Sequence, residues 1–454
     1  MPVEQLELGM FVAELDRPWL DTSFLLEALL VRTNAELQTL RNSCRYVVVD
    51  VGRSTTAVAS RLRDELARRA AGRRGGRALV GRLFEALLGR GKRRTRAADD
   101  ASRPQGSADA LCLPQGTTLR PYREPAPLEA ELPRARESWE RGAETLQTLL
   151  EDLRNGARSD LRVVEKAAND LVESMIETPD AVMWVARLRD QDKDAYQHSL
   201  KVAIHLIALG RHIGFPREDL ARLSQIGMLA DVGKIRLPRA LLEKPGLLTP
   251  AEQAVVRRHV RFGIEALRES MKLDPMIEQG ILQHHERLDG SGYPMGLRGM
   301  DIGIFGRMAG IADCFAALIS DRPYAKAAAP QDALMQMYGW CGTSFHEPLV
   351  EQFVQAIGVF PVGSLVELSN DEAAIVIAHN RVRRLEPRVL VLAGADHVPL
   401  AAPFERDLIR GPVDGDGKPI RIARGLPAGA YGLQPHDYYA DASAPPDGHV
   451  LAAA

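Results

Sequence analysis

The sequence has few cysteines and no long apolar run, and each absence narrows the kind of protein it encodes. The four cysteines among 454 residues show no CxxC spacing, so we expect neither a disulfide framework nor a cysteine zinc site. No stretch approaches the roughly 18 consecutive apolar residues of a membrane span, and the N-terminus lacks a signal-peptide pattern. We therefore predict a cytoplasmic protein without a transmembrane segment.

An excess of charge of one sign is also missing. Lys and Arg number 58 and Asp and Glu number 60, which gives a formal net charge of -2. Such a chain lacks an overall basic surface for phosphate backbones, so no nucleic-acid partner is expected. The exception is residues 61–96, with 13 basic against three acidic residues. We predict a solvated linker there, and the alternative is a basic amphipathic helix on anionic lipid or a partner.

Apolar periodicity divides the rest of the chain into segments of different type. Two short β-branched runs separated by a helix with capping-box spacing predict a small α+β domain at the N-terminus. Helical spacing then dominates from residue 134 to about 360, and short strands follow. The predicted fold class is multidomain and mainly α, with an all-α helical domain and a small C-terminal β appendage. The predicted segments are an accessory α+β domain at 1–55, a basic then Pro-rich linker at 56–133, connecting helices at 134–190, the helical domain at 191–360, the β appendage at 361–412 and an irregular tail at 413–454.

The stretch ILQHHERLDGSGYP, residues 281–294, has an unusual composition for the end of a helix. Two adjacent histidines lead into a glycine-rich turn, although the chain has only 11 histidines. Upstream, Asp194 and His198 are four residues apart, which places both on one face of a helix. The candidate metal ligands in chain order are Asp194, His198, Asp231, His259, His284, His285 and Asp313.

These candidates mix imidazole and carboxylate groups and include no thiolate, a combination that suits Fe, Mn or Zn. Because seven ligands exceed the four of one tetrahedral ion, the pattern predicts one or two divalent ions, with a bridging carboxylate if there are two. Gly233 is expected to let a helix end and to bring Lys234 to the same point. Spacing alone does not select a substrate, so a nonspecific phosphomonoesterase and a nucleotide hydrolase both stay open.

Several motifs together resemble the HD-GYP family of bacterial phosphohydrolases, a branch of the HD superfamily. They are DAYQHSLKVA, DVGKIRLPRALLEKPGLLTPAE, RRHVRFG, ILQHHERLDGSGYPMGLRG and GIADCFAALISDRPY. The N-terminal PVEQLELGMFVAELDRPWLDTSFL is similar to the small accessory domain that often precedes this domain. The resemblance implies an HD-type helical fold, a role in signal transduction and metal-dependent hydrolysis of cyclic di-GMP.

The resemblance also implies roles for individual residues. All seven candidates would bind metal, and Asp231 would bridge two ions, so that a metal-activated water attacks phosphorus. Lys234 would neutralise a phosphoryl oxygen or assist the leaving group, which makes Asp231 and Lys234 the predicted catalytic residues. The predicted substrate contacts are Lys234, Arg322 and the signature residues Gly292, Tyr293 and Pro294.

Two positions depart from the family pattern. Ala230 stands where the family has the histidine of its His-Asp doublet, and Ala325 displaces the lysine that commonly follows the tyrosine of DRPY. Three outcomes remain open: an active phosphodiesterase with one weakened metal position, a cyclic di-GMP-binding effector without turnover, and a protein-interaction scaffold. The retained ligands argue against the scaffold. A homodimer and a protein partner for the N-terminal domain are further predictions.

Overall fold

The computed structural model shows a mainly α protein with two small antiparallel sheets, which confirms the predicted fold class. The structure describes residues 3, 6–15, 29–31, 34–43, 47–50, 58, 111–113, 117–122, 128–188, 195–244, 246, 248–270, 272–321, 326–380 and 385–434. The prediction for the basic stretch 61–96 lies outside these residues. The chain forms two units, one from 1–107, 239–254 and 323–325 and the other from 108–238, 255–322 and 326–454.

The first unit contains the predicted α+β elements. They are β1 (Phe11–Leu15), β2 (Leu29–Leu30), α1 (Asn34–Ser43) and β3 (Val47–Asp50). The strands pair antiparallel in the order β2-β1-β3. The small core of the unit consists of Val3, Leu6, Met10, Val12, Val31, Leu37, Leu40 and Val47. The strands and the helix between them are where the apolar runs predict them.

Helices make up most of the second unit. In chain order the further helices of the chain are α2 (Leu128–Arg154), α3 (Leu161–Glu177), α4 (Pro179–Leu188), α5 (Ala195–Ile213), α6 (Arg217–Leu229), α7 (Arg239–Leu242), α8 (Pro250–Val256), α9 (His259–Ser270), α10 (Pro275–Gln283), α11 (Ile304–Leu318), α12 (Pro330–Gly339) and α13 (Glu347–Ile357). Of these, α7 and all of α8 except its last two residues belong to the first unit. Some begin at recognisable caps: Asp160 accepts a hydrogen bond from Arg162 N at 3.0 Å, and Asp274 accepts one from Met276 N at 2.8 Å. Among the described helices, none is long and apolar enough to cross a bilayer.

The helices from 128 to 188, predicted as connectors, pack into the helical unit. Trp139, Leu146 and Leu149 on α2 are buried, and so are Leu171 and Met175 on α3. Burying aliphatic and aromatic side chains of this size contributes roughly 1.5–3 kcal/mol each. These helices therefore belong to the same core as the predicted metal domain, and residue 190 does not divide two units.

The C-terminal strands form a five-stranded antiparallel sheet, in the order β7-β6-β5-β4-β8. The strands are β4 (Leu365–Leu368), β5 (Ala373–Ala378), β6 (Arg388–Ala393), β7 (Pro399–Asp407) and β8 (Ile422–Leu426). β8 lies inside the stretch predicted as an irregular tail, so that prediction is wrong for 422–426. The Gly and Pro content of the tail hides this strand, which is completed by pairing with β4 rather than by its own apolar pattern. The prediction for 435–454 lies outside the described residues.

Part of the predicted Pro-rich linker lies on the helical unit. The Arg120 N–H donates to the carbonyl oxygen of Gly214 at 2.8 Å, and the Tyr122 hydroxyl donates to that of Phe215 at 2.7 Å. Leu111 is buried, and its carbonyl accepts a hydrogen bond from Arg307 on α11 at 3.4 Å. The described part of this linker is thus attached at two places, although its composition predicts no regular element.

Two helices that lead to the predicted ligands approach each other at a glycine. A Cβ on Gly227 of α6 would lie 2.4 Å from both the Cα and the N of Ala203 on α5. α5 carries His198 and α6 leads to Asp231. The missing side chain at Gly227 therefore allows the close backbone approach that brings these two residues together.

We expect Gly227→Ala to destabilise the helical unit because the new methyl group would overlap the Ala203 backbone. Overpacking of this kind costs about 1–3 kcal/mol, which lowers the thermal midpoint by about 2–4 °C for each kcal/mol in a domain of this size. Gly339→Ala is the matched control, since no heavy atom lies within 4 Å of its Cβ position at the end of α12. Thermal unfolding followed by circular dichroism measures both variants, and equal midpoints would contradict the expectation.

Candidate metal centre

Helix ends bring most of the predicted ligands to one place. His198 lies in the first turns of α5, and Asp231 follows the end of α6. His259 begins α9, the His284–His285 pair follows α10, and Asp313 lies within α11. Side chains from five separate helical segments therefore meet, although their positions in the chain span more than a hundred residues.

The first set of ligands, here called the three-histidine group, consists of Asp231, His259, His284 and His285. One donor atom of each lies within 4.8 Å of the others. His259 and His284 are 1% and 0% exposed. The Oδ1 atom of Asp231 and the Nε2 atoms of His259 and His284 are buried without a hydrogen-bond partner. Buried polar atoms are seldom left in this state, so three of them aimed at one point fit a cation-binding site.

The hydrogen bonds of two histidines select the nitrogen that faces this point. His259 Nδ1 lies 2.7 Å from the Val256 carbonyl oxygen, and His284 Nδ1 lies 2.6 Å from that of Ile281. Because a carbonyl only accepts, each Nδ1 carries the proton and donates it. Each Nε2 is then left with a lone pair, which is the tautomer that a metal-binding histidine needs.

The second set, here called the His198 group, consists of His198, Asp231 and Asp313, again with donor atoms within 4.8 Å. His198 Nε2 lies 2.9 Å from Asp313 Oδ1 and 3.8 Å from Asp231 Oδ2. Asp231 thus belongs to both groups and offers a different oxygen to each. Ala230 is 5% exposed and caps the C-terminal end of α6, so no imidazole is available at that position.

Burial and charge hold these groups in the protonation states that bind cations. Burial raises the pKa of Asp231, but the charges of Lys234 and the nearby histidines outweigh it and bring the pKa well below its usual range. Burial also raises the pKa of Asp313, but the His198 hydrogen bond together with the charges of His198 and His284 outweighs it and lowers the pKa. Burial lowers the pKa of His259 to about 4, and burial together with His284 lowers that of His285. At neutral pH the carboxylates are therefore ionised and these two imidazoles are neutral.

Lys234 lies close to Asp231, as the sequence predicts, but Gly233 does not bring it there by ending a helix. Its Nζ is 2.6 Å from Asp231 Oδ2. The helix already ends at Leu229, before Gly233. A Cβ on Gly233 would lie 1.9 Å from the His259 carbonyl oxygen and 2.3 Å from Gly263 N. Gly233 is therefore needed for the close approach of this segment to α9, which places Asp231 beside His259.

The signature residues form a tight loop beside the three-histidine group. The ring of Tyr293 stacks on that of His285 with centroids 4.6 Å apart and planes inclined by 30°, and the Tyr293–Pro294 peptide bond is cis. A Cβ on Gly292 would lie 2.4 Å from Arg287 N and 2.5 Å from Glu286 Cα. Only glycine fits there without moving the backbone.

Sequence reasoning missed Glu286, which is 4% exposed. Its carboxylate accepts hydrogen bonds from Met295 N at 2.7 Å and from Leu297 N at 2.9 Å. The signal in the sequence was a carboxylate four residues before the first glycine of a glycine-rich turn, where many backbone N–H groups need acceptors. Two predicted site residues, Asp194 and Arg322, lie outside the described residues, as does Ala325.

Comparison with known proteins gives a consistent result across most of the chain. A model described as an HD domain matches residues 180–343, and one described as a domain of unknown function (DUF3391) matches residues 1–164. The chain is 30% identical over 397 residues to the cyclic di-GMP phosphodiesterase PA4108 of Pseudomonas aeruginosa, covering 87% of this chain and 85% of that protein.

Two further relatives match a smaller part of the chain. The cyclic di-GMP phosphodiesterase response regulator RpfG of Xanthomonas campestris pv. campestris is 35% identical over 190 residues, which cover 41% of this chain and 49% of RpfG. The 3'3'-cGAMP-specific phosphodiesterase 2 of Vibrio cholerae is 32% identical over 166 residues, covering 36% of this chain and 32% of the relative. The chain thus spans about half or less of these two proteins.

We expect the metal-free protein to lose stability as the pH falls from about 6.5 to 4. Burial lowers the pKa of His259 to about 4, so over this range the unfolded chain binds a proton that the folded chain does not. Each such histidine lowers the free energy of unfolding by at most about 1.4 kcal/mol per pH unit. Thermal midpoints of chelator-treated protein between pH 7 and 5 should show this slope. His259→Gln should make the slope shallower, and an unchanged slope in this variant would refute the assignment.

Proposed function

The chain belongs to the HD domain family, in its HD-GYP branch, and we propose that it is a metal-dependent phosphodiesterase that hydrolyses cyclic di-GMP. The observation that carries the proposal is the pair of ligand groups that share Asp231. Two ligand groups joined by one carboxylate are suited to an in-line displacement at phosphorus, in which the attacking and leaving oxygens both need stabilisation. The names of PA4108 and RpfG support the same reaction.

Both donor sets suit divalent ions such as Fe, Mn or Zn. The three-histidine group would hold one ion, and His198, Asp313 and the shared Asp231 would hold a second. Asp194 stays a proposed further ligand from its position four residues before His198. When bound, such an ion lowers the pKa of water towards neutrality and polarises a phosphoryl group.

The chain's own side chains provide the remaining functions. Lys234 places its ammonium group 2.6 Å from Asp231 Oδ2, where it is positioned to neutralise a phosphoryl oxygen or assist the leaving group. Arg322 is proposed to bind substrate phosphate, since guanidinium groups recognise phosphate by paired hydrogen bonds. Gly292, Tyr293 and Pro294 are proposed to line the substrate side of the three-histidine group.

Ala230 makes the two ligand groups unequal. The three-histidine group has four protein donors, whereas the His198 group has three among the described residues. Loss of one donor lowers affinity for an ion without removing the other donors. We therefore propose tight binding at the first group and weaker binding at the second. The same observation favours a second candidate function, an effector that binds cyclic di-GMP without turning it over.

The substrate is proposed from the relatives rather than from the geometry. Cyclic di-GMP is preferred because the relative that covers 87% of this chain is named for it. The related 3'3'-cGAMP, named for the Vibrio cholerae relative, is the substrate to compare with it. A homodimer, a protein partner for the N-terminal unit and a cytoplasmic location stay predictions.

Hydrolysis is tested with full-length protein supplied with Mn²⁺ or Fe²⁺ and cyclic di-GMP, with nucleotide products separated by chromatography. We expect linear dinucleotide or GMP from the wild type and none above blank from His284→Ala, which removes a buried ligand. His212→Gln is the matched control and should keep wild-type turnover. If the wild type gives no more product than His284→Ala but binds cyclic di-GMP in calorimetry, the effector function replaces the enzyme function.

Ala230→His should raise the metal content of the purified protein. The wild type is expected to retain about one ion per chain after desalting, and the variant to approach two, because the imidazole completes the His198 group. Ala230→Ser is the matched control, since it adds a polar atom without an imidazole. Metal analysis by mass spectrometry measures the number of ions per chain in both variants and in the wild type. Equal stoichiometry in Ala230→His and Ala230→Ser would show that this position does not limit metal binding.

A further inference from the structure

The three imidazoles of the three-histidine group are oriented in different ways. His259 and His284 each donate Nδ1–H to the carbonyl oxygen three residues earlier. Among the described residues, no hydrogen bond reaches the ring of His285. Its Nδ1 lies 3.7 Å from Asp313 Oδ2, which is too long for a hydrogen bond. The position of the His285 ring must therefore depend on packing.

Among the described rings that belong to neither ligand group, the one nearest to the His285 ring is that of Tyr293. Their centroids are 4.6 Å apart and their planes are inclined by 30°. The ring of His284 is also close to that of His285, with its centroid 4.0 Å away and its plane inclined by 41°. His285 thus packs against a ligand that is fixed by its own hydrogen bond and against a tyrosine on a loop. Its orientation depends on how firmly that loop is held.

The signature loop, defined here as residues 286–297, closes on the carboxylate of Glu286. Both oxygens are used: Oε1 accepts from Met295 N at 2.7 Å and Oε2 accepts from Leu297 N at 2.9 Å. Hydrogen bonds to an ionised acceptor are stronger than those between neutral groups, and burial strengthens them further. The two bonds lie just beyond Tyr293, whose own N–H donates to the His285 carbonyl oxygen at 3.2 Å. Glu286 therefore joins the two ends of the loop that carries Tyr293.

We propose that Glu286 is a positioning residue for the metal centre, which holds the signature loop so that Tyr293 orients His285 towards a bound ion. The inference rests on the proposed metal centre. Glu286 belongs to neither ligand group. It acts on His285 through Tyr293. Groups that contact a metal ligand without binding the ion set the orientation of that ligand and the affinity of the site for the metal in the same way.

Glu286→Gln tests the first step with little change in volume. The amide can accept one of the two backbone N–H groups, but its NH2 then faces the other, so two donors meet and one hydrogen bond is lost. Titration of chelator-treated full-length protein with Co²⁺, followed by visible absorption, measures affinity and ligand geometry together. We expect about 10–100-fold weaker Co²⁺ binding and an altered spectrum, the range seen when groups behind a ligand are changed.

Asp289→Asn is the matched control. Asp289 is an exposed carboxylate in the same loop, and its Oδ1 accepts one hydrogen bond from Ser291 N at 2.9 Å. We expect its Co²⁺ affinity and spectrum to match the wild type. Equal behaviour of Glu286→Gln and Asp289→Asn would overturn the proposal.

Tyr293→Leu tests the second step independently, so the proposal stays falsifiable even if Glu286→Gln does not fold. Removing the stacked ring should weaken Co²⁺ binding and alter the spectrum as Glu286→Gln does, and the double variant should be no weaker than the weaker single variant. Additive losses would show that Glu286 does not act through Tyr293. An unchanged spectrum in Tyr293→Leu would show that the ring does not orient His285. Either result overturns the proposal.

The same titration separates this inference from the proposed function. Wild-type protein that takes up no Co²⁺ would refute the metal centre, and the positioning role of Glu286 with it. Wild-type protein that binds Co²⁺ while Glu286→Gln binds it equally well would leave the proposed function standing and overturn only the role of Glu286. Circular dichroism of each variant shows whether the fold is retained.

Discussion

The carboxylate of Asp231 meets the Lys234 ammonium through Oδ2 at 2.6 Å, while its Oδ1 faces Nε2 of His259 at 3.4 Å. Asp231 is 9% exposed, and a carboxylate this far from water costs several kcal/mol unless positive charge compensates it. Lys234 supplies one such charge, and a bound cation would supply the rest. The absence of a side chain at Gly227 and at Gly233 lets the surrounding helices come close enough for this arrangement.

The centre is asymmetric in a way that follows from how each ligand is held. Two buried imidazoles of the three-histidine group are fixed by backbone carbonyls, and the third lies against Tyr293. In the His198 group, His198 is held by Asp313, and Ala230 contributes only a methyl group. The first group is thus ordered by the backbone and by ring packing, which do not depend on an ion. The second relies on contacts between the ligands themselves.

Much of the local structure could be predicted from the sequence, because periodicity is a local property. The N-terminal strands, the long run of helices and the first C-terminal strands lie where their apolar patterns indicate. The strand 422–426 could not be predicted, since it is defined by pairing with β4 across more than fifty residues. Likewise, the helices from 128 to 188 look like connectors in the sequence, and only their buried side chains show that they share the helical core.

By itself the sequence determined which chemical groups are available: imidazoles and carboxylates without thiolates, a glycine-rich turn beside a histidine pair, and an alanine where the family has a histidine. Only the tertiary structure decided which of these groups meet. It places Asp231 in both ligand groups, and it shows that the Glu286 carboxylate accepts the hydrogen bonds that close the signature loop. The reason is physical: one residue in the sequence determines the type of a donor atom, but the direction in which that atom points depends on how helices distant in the sequence pack together.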